Sequence, residues 1–331
     1  MERIFFIIFL FFTCFTTHAQ KRFEYSHQQM GTQIGLVFYT TDKVLADSMA
    51  LLAFNRIDEL NEKFSDYIDT SELSLLAKEV NKEVVVSDDL FRVLKKATEV
   101  SENTNGAFDI SAGPLIQLWR ETRKTRILPS ASARNKVMQN VGYKFVEFPK
   151  KNVVRLNASA MQLDLGGIGK GFAADEVIKI LELNGVTSAL IDMGGDIRVS
   201  NPPPAKEYWV LAFSHFNSEG KEVLKKIALK NAAVATSGDV YQYVEIKGKK
   251  YSHIVNPQTG MALSNRIQVT TIAKNATLAD AYASAYSVME FRKMTDHVTE
   301  FPNLEIFRVS KTNEGYQNWN SPGFYSYILS E

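Results

Sequence analysis

Between Asp164 and Gly171 the chain runs Asp-Leu-Gly-Gly-Ile-Gly-Lys-Gly, with four glycines in six positions and a lysine among them. So little side-chain bulk opens the backbone to positive φ and to close approach. The apolar-periodic residues that follow, from Phe172, read as a helix, and amides at a helix start carry the positive end of its dipole. With Lys170 adding a point charge, the stretch suits a phosphate-bearing ligand. It matches neither standard nucleotide fingerprint. Gly167-x-Gly169-x-Gly171 lacks the last interval of a dinucleotide loop, and Gly171 stands where a Walker loop carries Ser or Thr. By spacing alone, the alternative is a tight strand-to-helix turn.

Three other segments carry groups capable of chemistry. In Thr277-Leu-Ala-Asp280-Ala-Tyr-Ala-Ser284, helical spacing puts Asp280 and Ser284 on one face, and such hard oxygen donors suit Mg²⁺. Thr277 and Asp280 also fit a helix cap and its reciprocal partner. His253, in Tyr251-Ser-His-Ile-Val-Asn-Pro257, ends a strand before an Asn-Pro turn, where a scaffold can hold a general base, although a lone histidine is commonly structural. Asp109, in the run Gly106-Ala-Phe-Asp to Trp119, reads by composition as a buried acceptor in a loop and strand. The small-residue turn Ala235-Thr-Ser-Gly-Asp239 offers further amides to an anion.

The elements that must position these groups are legible as periodicities. Residues 30–40 read as a strand, and 43–63 and 88–104 as helices, with Asp88 as a cap. Residues 129–142 read as a short helix, 144–148 with 153–156 as a hairpin, and 172–184 as a helix closed by Asn184-Gly185. Ala189–Met193 reads as a buried strand. Strands dominate from 207 to 256, including a hairpin of 240–246 with 251–255; a strand at 266–273 then leads to a helix near 277–290. The tail carries further short strands and a Pro322-Gly323 turn. Helices mixed with antiparallel hairpins, without repeats or linkers, predict an α+β fold: a single compact domain of mixed, largely antiparallel sheet with packed helices.

The 331 residues are 45% hydrophobic and 23% charged with a net charge of +1, an ordinary globular composition that argues against broad capture of nucleic acid. Arg3 precedes an apolar run from Ile4 to Phe12, and Thr17-His-Ala19 is a small-x-small site before Gln20. Residues 1–19 therefore read as a signal peptide and 20–331 as the mature domain. The single cysteine, Cys14, falls in that segment, which excludes disulfides, thiolate catalysis and cysteine-bound metal from the mature chain.

Taken in order, these segments resemble the ApbE family of flavin transferases. The match runs through Met30-Gly-Thr32, Phe64-Ser-Asp-Tyr67 with Ser71-Glu-Leu-Ser74, Gly106-Ala-Phe-Asp109 with Gly113-Pro114 and Trp119, and the Asp164–Gly171 run. It continues through Gly194-Gly-Asp196, Ala235–Asp239, Ser252-His253 with Asn256-Pro-x-Thr-Gly260, and Ala279-Asp280-Ala281. The resemblance implies an exported, Mg²⁺-dependent FAD:protein FMN transferase, periplasmic or inner-membrane associated. Such an enzyme splits the pyrophosphate of FAD and passes FMN to a Thr or Ser hydroxyl of an acceptor flavoprotein, a membrane redox-complex subunit or an exported flavoprotein, and releases AMP. It further implies that Met30, Tyr67, Ala107, Phe108, Asp109, Asp164, Lys170 and Val255 contact the flavin nucleotide. Gly167, Asp280 and Ser284 map to the metal, and His253 to the base. Ser284 stands where the family usually has threonine and Asn256 where it usually has aspartate; Gly169 stands where alanine is common. The rival readings are an FAD-binding protein without transfer activity and an Mg²⁺-dependent FAD pyrophosphatase giving FMN and AMP.

Overall fold

Apolar side chains alternate along β2 (Thr32–Thr40), and its Ile34, Leu36 and Phe38 are fully buried on one face. A computed structural model describes residues 19–238, 243–301, 303–312 and 314–329; the expected signal segment with Cys14, apart from Ala19, and Asp239 lie outside the described residues. Ahead of β2 the structure adds a strand that sequence patterning does not predict, β1 (Lys21–Gln29), paired antiparallel to it. This edge strand is half exposed, so its alternation is weak. The two-residue turn between them sets Met30 at φ +51° and Gly31 at φ +72°, the left-handed pair that a tight hairpin turn demands.

The chain continues through α1 (Lys43–Phe64), α2 (Glu72–Leu76), the short β3 (Val84–Val85) and α3 (Asp88–Asn103). The cap of α3 is Ser87, whose hydroxyl accepts from the Leu90 amide, rather than the expected Asp88. Next comes α4 (Gly113–Thr125), a helix where composition suggests a strand. Pro114 in its first turn needs no amide partner and pre-sets helical φ, which permits a helix directly after the buried loop. Then follow α5 (Ala131–Met138), β4 (Val146–Lys150), β5 (Val153–Leu156), α6 (Gly169–Leu183), β6 (Ala189–Asp192) and β7 (Ile197–Val199). The remainder is β8 (Trp209–Phe216), β9 (Glu222–Leu229), β10 (Ala232–Gly238), β11 (Tyr243–Ile246), β12 (Lys249–Ser252), β13 (Ile267–Ala273), α7 (Ala276–Val288), α8 (Phe291–Glu300), β14 (Leu304–Thr312) and β15 (Gly315–Asn320). The helix α8 is absent from the expectations, which pass from a helix ending near 290 to the short strands of the tail; only Met289 and Glu290 separate it from α7.

Among the described residues, eight strands form one antiparallel sheet in the order β1-β2-β6-β7-β10-β13-β14-β15. Its two faces bury different cores. One carries α1, α6 and α7 over Leu36, Ile191, Ala235 and Val269. The other carries the β8–β9 hairpin, with Trp209 and Phe213 over Val234, Ile272 and Phe307. A smaller core joins α4 to the β11–β12 hairpin, where Trp119 lies 5.5 Å from the ring of Tyr251 and donates to the Gly260 carbonyl at 2.9 Å.

A buried ion network ties α1, α3 and α6 together. Arg56 reaches Asp89 at 2.8 Å and Glu176 at 2.9 Å, while Lys63 reaches Asp89 at 2.8 Å and Arg92 reaches Glu176 at 2.9 Å. Burial alone would raise the Asp89 carboxyl; the hydrogen bonds from Arg56 and Lys63 outweigh it and hold the group well below the carboxylate range. A depressed native pKa means stabilisation that is complete above the unfolded value, about 3.9, and lost as pH falls toward the native one. Asp89→Asn is expected to cost about 3–5 kcal/mol at pH 7. Urea denaturation should show that gap to wild type shrinking at pH 3; a gap independent of pH refutes the network's role.

Candidate active site

The glycine run serves close packing more than anion binding. The helix α6 begins at Gly169, three residues earlier than expected, so Lys170 and Gly171 lie in its first turn. The amides of Ile168 and Gly169 both donate to the Leu165 carbonyl, that of Gly166 to Asp164 Oδ1 at 2.7 Å, and that of Gly171 to Asp280 Oδ2 at 3.2 Å. Most of the presumed cradle is thus spent inside the protein. What the glycines permit is contact. A Cβ on Gly171 would fall 2.2 Å from the Ala276 carbonyl oxygen, and one on Gly167 would fall 2.9 Å from Ser284 Oγ. Positive charge in this wall comes from the Lys170 side chain, which pairs with Asp196 after the Gly194-Gly195 bend. Burial works against the ammonium, but Asp196 and then Asp280 outweigh it and raise its pKa above the ordinary lysine value.

The other side of that contact is α7. Its cap is Asn275, which accepts from the Leu278 amide at 3.0 Å, so the alternative of a Thr277–Asp280 capping pair does not occur. Thr277 instead donates through amide and hydroxyl to Asp175 of α6, at 2.8 and 2.5 Å, and the Ala276 amide adds a third bond at 2.9 Å. That clamp leaves Asp280 free to face Lys170 and Gly171. Asp280 is 6% exposed. Burial, then the neighbouring Asp196, pushes it up to about 8, against the pull of Lys170. A carboxyl so crowded by negative charge is a group that a cation would stabilise. With the Ser284 hydroxyl and the close Gly167 backbone, the donors are all hard oxygens, few in number, as fits Mg²⁺ completed by substrate phosphate.

Gly167, Lys170 and Ser284 border a cavity of about 750 Å³. Its remaining walls come from four other places. Met30 enters from the β1–β2 turn and Tyr67 from the loop after α1. Ala107, Phe108 and Asp109 precede α4. His253 and Val255 follow β12, where Val255 bridges to Ala262. Asp109 accepts from the Ser111 amide at 2.8 Å, the Ser111 hydroxyl at 2.6 Å and the Tyr143 amide at 2.9 Å, so it shapes its own loop. Burial still raises its pKa, those bonds opposing. Asn256 Oδ1 accepts from the Gln258 and Thr259 amides at 2.8 and 3.2 Å, the turn-forming work an aspartate would do there.

Of the residues that the resemblance maps to the flavin nucleotide, the metal or the base, all line this cavity except Asp280, which lies behind its wall on Gly171. Sequence reading missed the partners that hold those residues. Asp196 belongs to the Gly194-Gly-Asp run and was open to selection on that ground. Asp66 belongs likewise to the Phe64-Ser-Asp-Tyr67 run, whereas Arg120 carries no local signal: on α4, it reaches Asp66 at 2.5 Å and Asp164 at 3.0 Å, and lies 4.2 Å over the Tyr67 ring. Burial, then Asp66, lifts Asp164 to about 6 despite that arginine.

A one-domain α+β scaffold with a buried lysine, polar oxygens and a histidine around one cavity has the form of a small-molecule site. The ApbE family model matches residues 30–307, and the chain belongs to the ApbE family. An FAD:protein FMN transferase of Vibrio cholerae is 29% identical over 306 residues, covering 90% of each chain. One of Buchnera aphidicola is 26% identical, covering 99% of this chain and 97% of its own. Among solved structures, the flavin transferase ApbE of Vibrio cholerae superposes with a TM-score of 0.84 at 25% identity, over 93% of this chain and 99% of that one. The ApbE protein of Thermotoga maritima gives 0.83 at 30% identity, over 94% and 100%.

Proposed function

We infer that this chain is an FAD:protein FMN transferase. The observation that carries the reading is the convergence of Lys170, Gly167, Ser284 and His253 on one cavity, with Asp280 directly behind its wall, in a family member whose named relatives are transferases. In the reaction an acceptor hydroxyl attacks the phosphorus of the FMN half, the P–O bond to the AMP half breaks, and AMP leaves. Lys170 holds positive charge against the pyrophosphate, kept in place by Asp196. His253 takes the proton of the attacking hydroxyl. Asp280, Ser284 and the Gly167 carbonyl are the residues to hold Mg²⁺, which when bound supplies Lewis-acid stabilisation of charge on the phosphoryl oxygens. Asp109, Asp164, Met30 and Tyr67 orient the nucleotide.

The acceptor is an exported or membrane-bound flavoprotein, in keeping with the signal-like segment ahead of Gln20. N-terminal sequencing of the chain from the cell envelope should then begin near Gln20; a chain retaining Met1 in the cytoplasm sinks that localisation. Activity is tested by incubating the mature protein with FAD, Mg²⁺ and a candidate acceptor domain, then seeking acid-stable fluorescence on the acceptor in a denaturing gel. Free FMN and AMP with an unlabelled acceptor would favour the pyrophosphatase reading. Neither product would favour a binder.

A further inference from the structure

One face of α4 and its cap, at Ala112, Ile116, Arg120 and Arg123, runs along the cavity, and among the described residues only one of its two arginines is paired with carboxylates. Arg120 is neutralised by Asp66 and Asp164. Arg123 has no carboxylate partner among the described residues, and its Nη1 is buried without a hydrogen-bond acceptor. A buried, unmatched donor of this kind is costly unless something else meets it. Burial, then Arg120, disfavours its charge, and Tyr67 favours it. Lys170, by contrast, is surrounded by Asp196, Asp280 and Asp192. Lys170 thus stands among carboxylates, whereas Arg123, on the same cavity, is paired with none of the described ones.

FAD has a single anionic group, its pyrophosphate, and on the function proposed above Lys170 and the oxygen set at Gly167, Asp280 and Ser284 take it. What is left for Arg123 is an uncharged part of the nucleotide that accepts hydrogen bonds. Both aromatic halves of FAD have such an edge: ring nitrogens on adenine, ring nitrogens and carbonyls on the flavin. Tyr67 is 77% exposed, with Arg120 over one face of its ring, so an aromatic group has room against the remainder. We propose that Arg123 is a specificity-determining residue of the nucleotide site, donating through its planar fork to the acceptor edge of the FAD ring that lies by Tyr67.

The test is equilibrium binding of FAD, FMN, AMP and inorganic pyrophosphate to the mature protein with Mg²⁺ present, by fluorescence quenching and calorimetry. Arg123→Met keeps the side-chain stem and removes the fork; thermal melting checks that it folds. The Kd for FAD should rise about tenfold or more, the scale of a lost hydrogen bond from a charged donor. That loss should be shared by FMN alone or by AMP alone, which says which ring is read. Arg123→Lys, which keeps charge without the fork, should fall between the two and serves if the methionine variant misfolds. An FAD Kd changed less than twofold overturns the proposal, as does a parallel loss for FMN, AMP and pyrophosphate, which would mean a phosphate contact. Wild-type protein that binds no FAD overturns the function on which the inference rests; intact binding unaltered by the substitution overturns the inference alone.

Discussion

Asp280→Asn is expected to lower Mg²⁺-dependent FMN transfer by at least about 10³-fold while leaving the protein folded. Asparagine keeps the volume and can still accept from the Gly171 amide, which lies 3.2 Å from Asp280 Oδ2, so the α6–α7 contact persists. What it removes is the one group able to carry negative charge in the set proposed above to hold Mg²⁺, otherwise made of a hydroxyl and a carbonyl. Losing a ligand that stabilises transition-state charge by several kcal/mol matches that loss of rate. The check is initial rate against Mg²⁺ concentration. Activity within threefold of wild type at every concentration would show that the metal does not bind at Asp280.

Gly171→Ala is expected to fail for a different reason. The added Cβ would stand 2.2 Å from the Ala276 carbonyl oxygen and 2.9 Å from the Thr277 amide nitrogen, both backbone atoms with no rotamer to yield. Helices α6 and α7 must then separate. Overpacking of this kind costs about 3 kcal/mol or more, at the upper end of its range. The separation also moves Lys170 and Gly167 away from Asp280 and Ser284. A displacement near 1 Å is enough for roughly a 100-fold loss of rate. Thermal melting and transfer assays on one preparation give both numbers. A variant as stable and active as wild type would show that the two helices are not held at this distance.

The two substitutions mark how far the sequence could be read. Asp280 and Ser284 are legible as a pair because helical spacing is local: four residues return a side chain to the same face wherever the helix lies. The glycine run is legible as unusual, yet its purpose is not. Read alone it offers amides to a phosphate; in the folded chain those amides bond to Leu165, Asp164 and Asp280, and the bare backbone serves a helix crossing. That role depends on a carbonyl more than a hundred residues away, which no local pattern reports.

Periodicity, turn chemistry and composition determined by themselves the α+β class, most of the strands and helices, and the ordered motifs that mark the ApbE family. These rest on interactions within a few residues, between neighbours on a helix face or across a tight turn. Where a local signal misled, a longer-range force prevailed. A proline-led helix replaced the expected strand at α4, because its apolar face at Leu115 and Trp119 had the β11–β12 hairpin to bury against. Only the tertiary structure decided which side chains hold which. Asp175 clamps the start of α7, Asp196 restrains Lys170, and Arg120 joins Asp66 to Asp164 while Arg123 is left unmatched. Those pairings are electrostatic, fall off steeply with distance, and connect elements far apart in the chain, so they exist only once the sheet has brought its helices together.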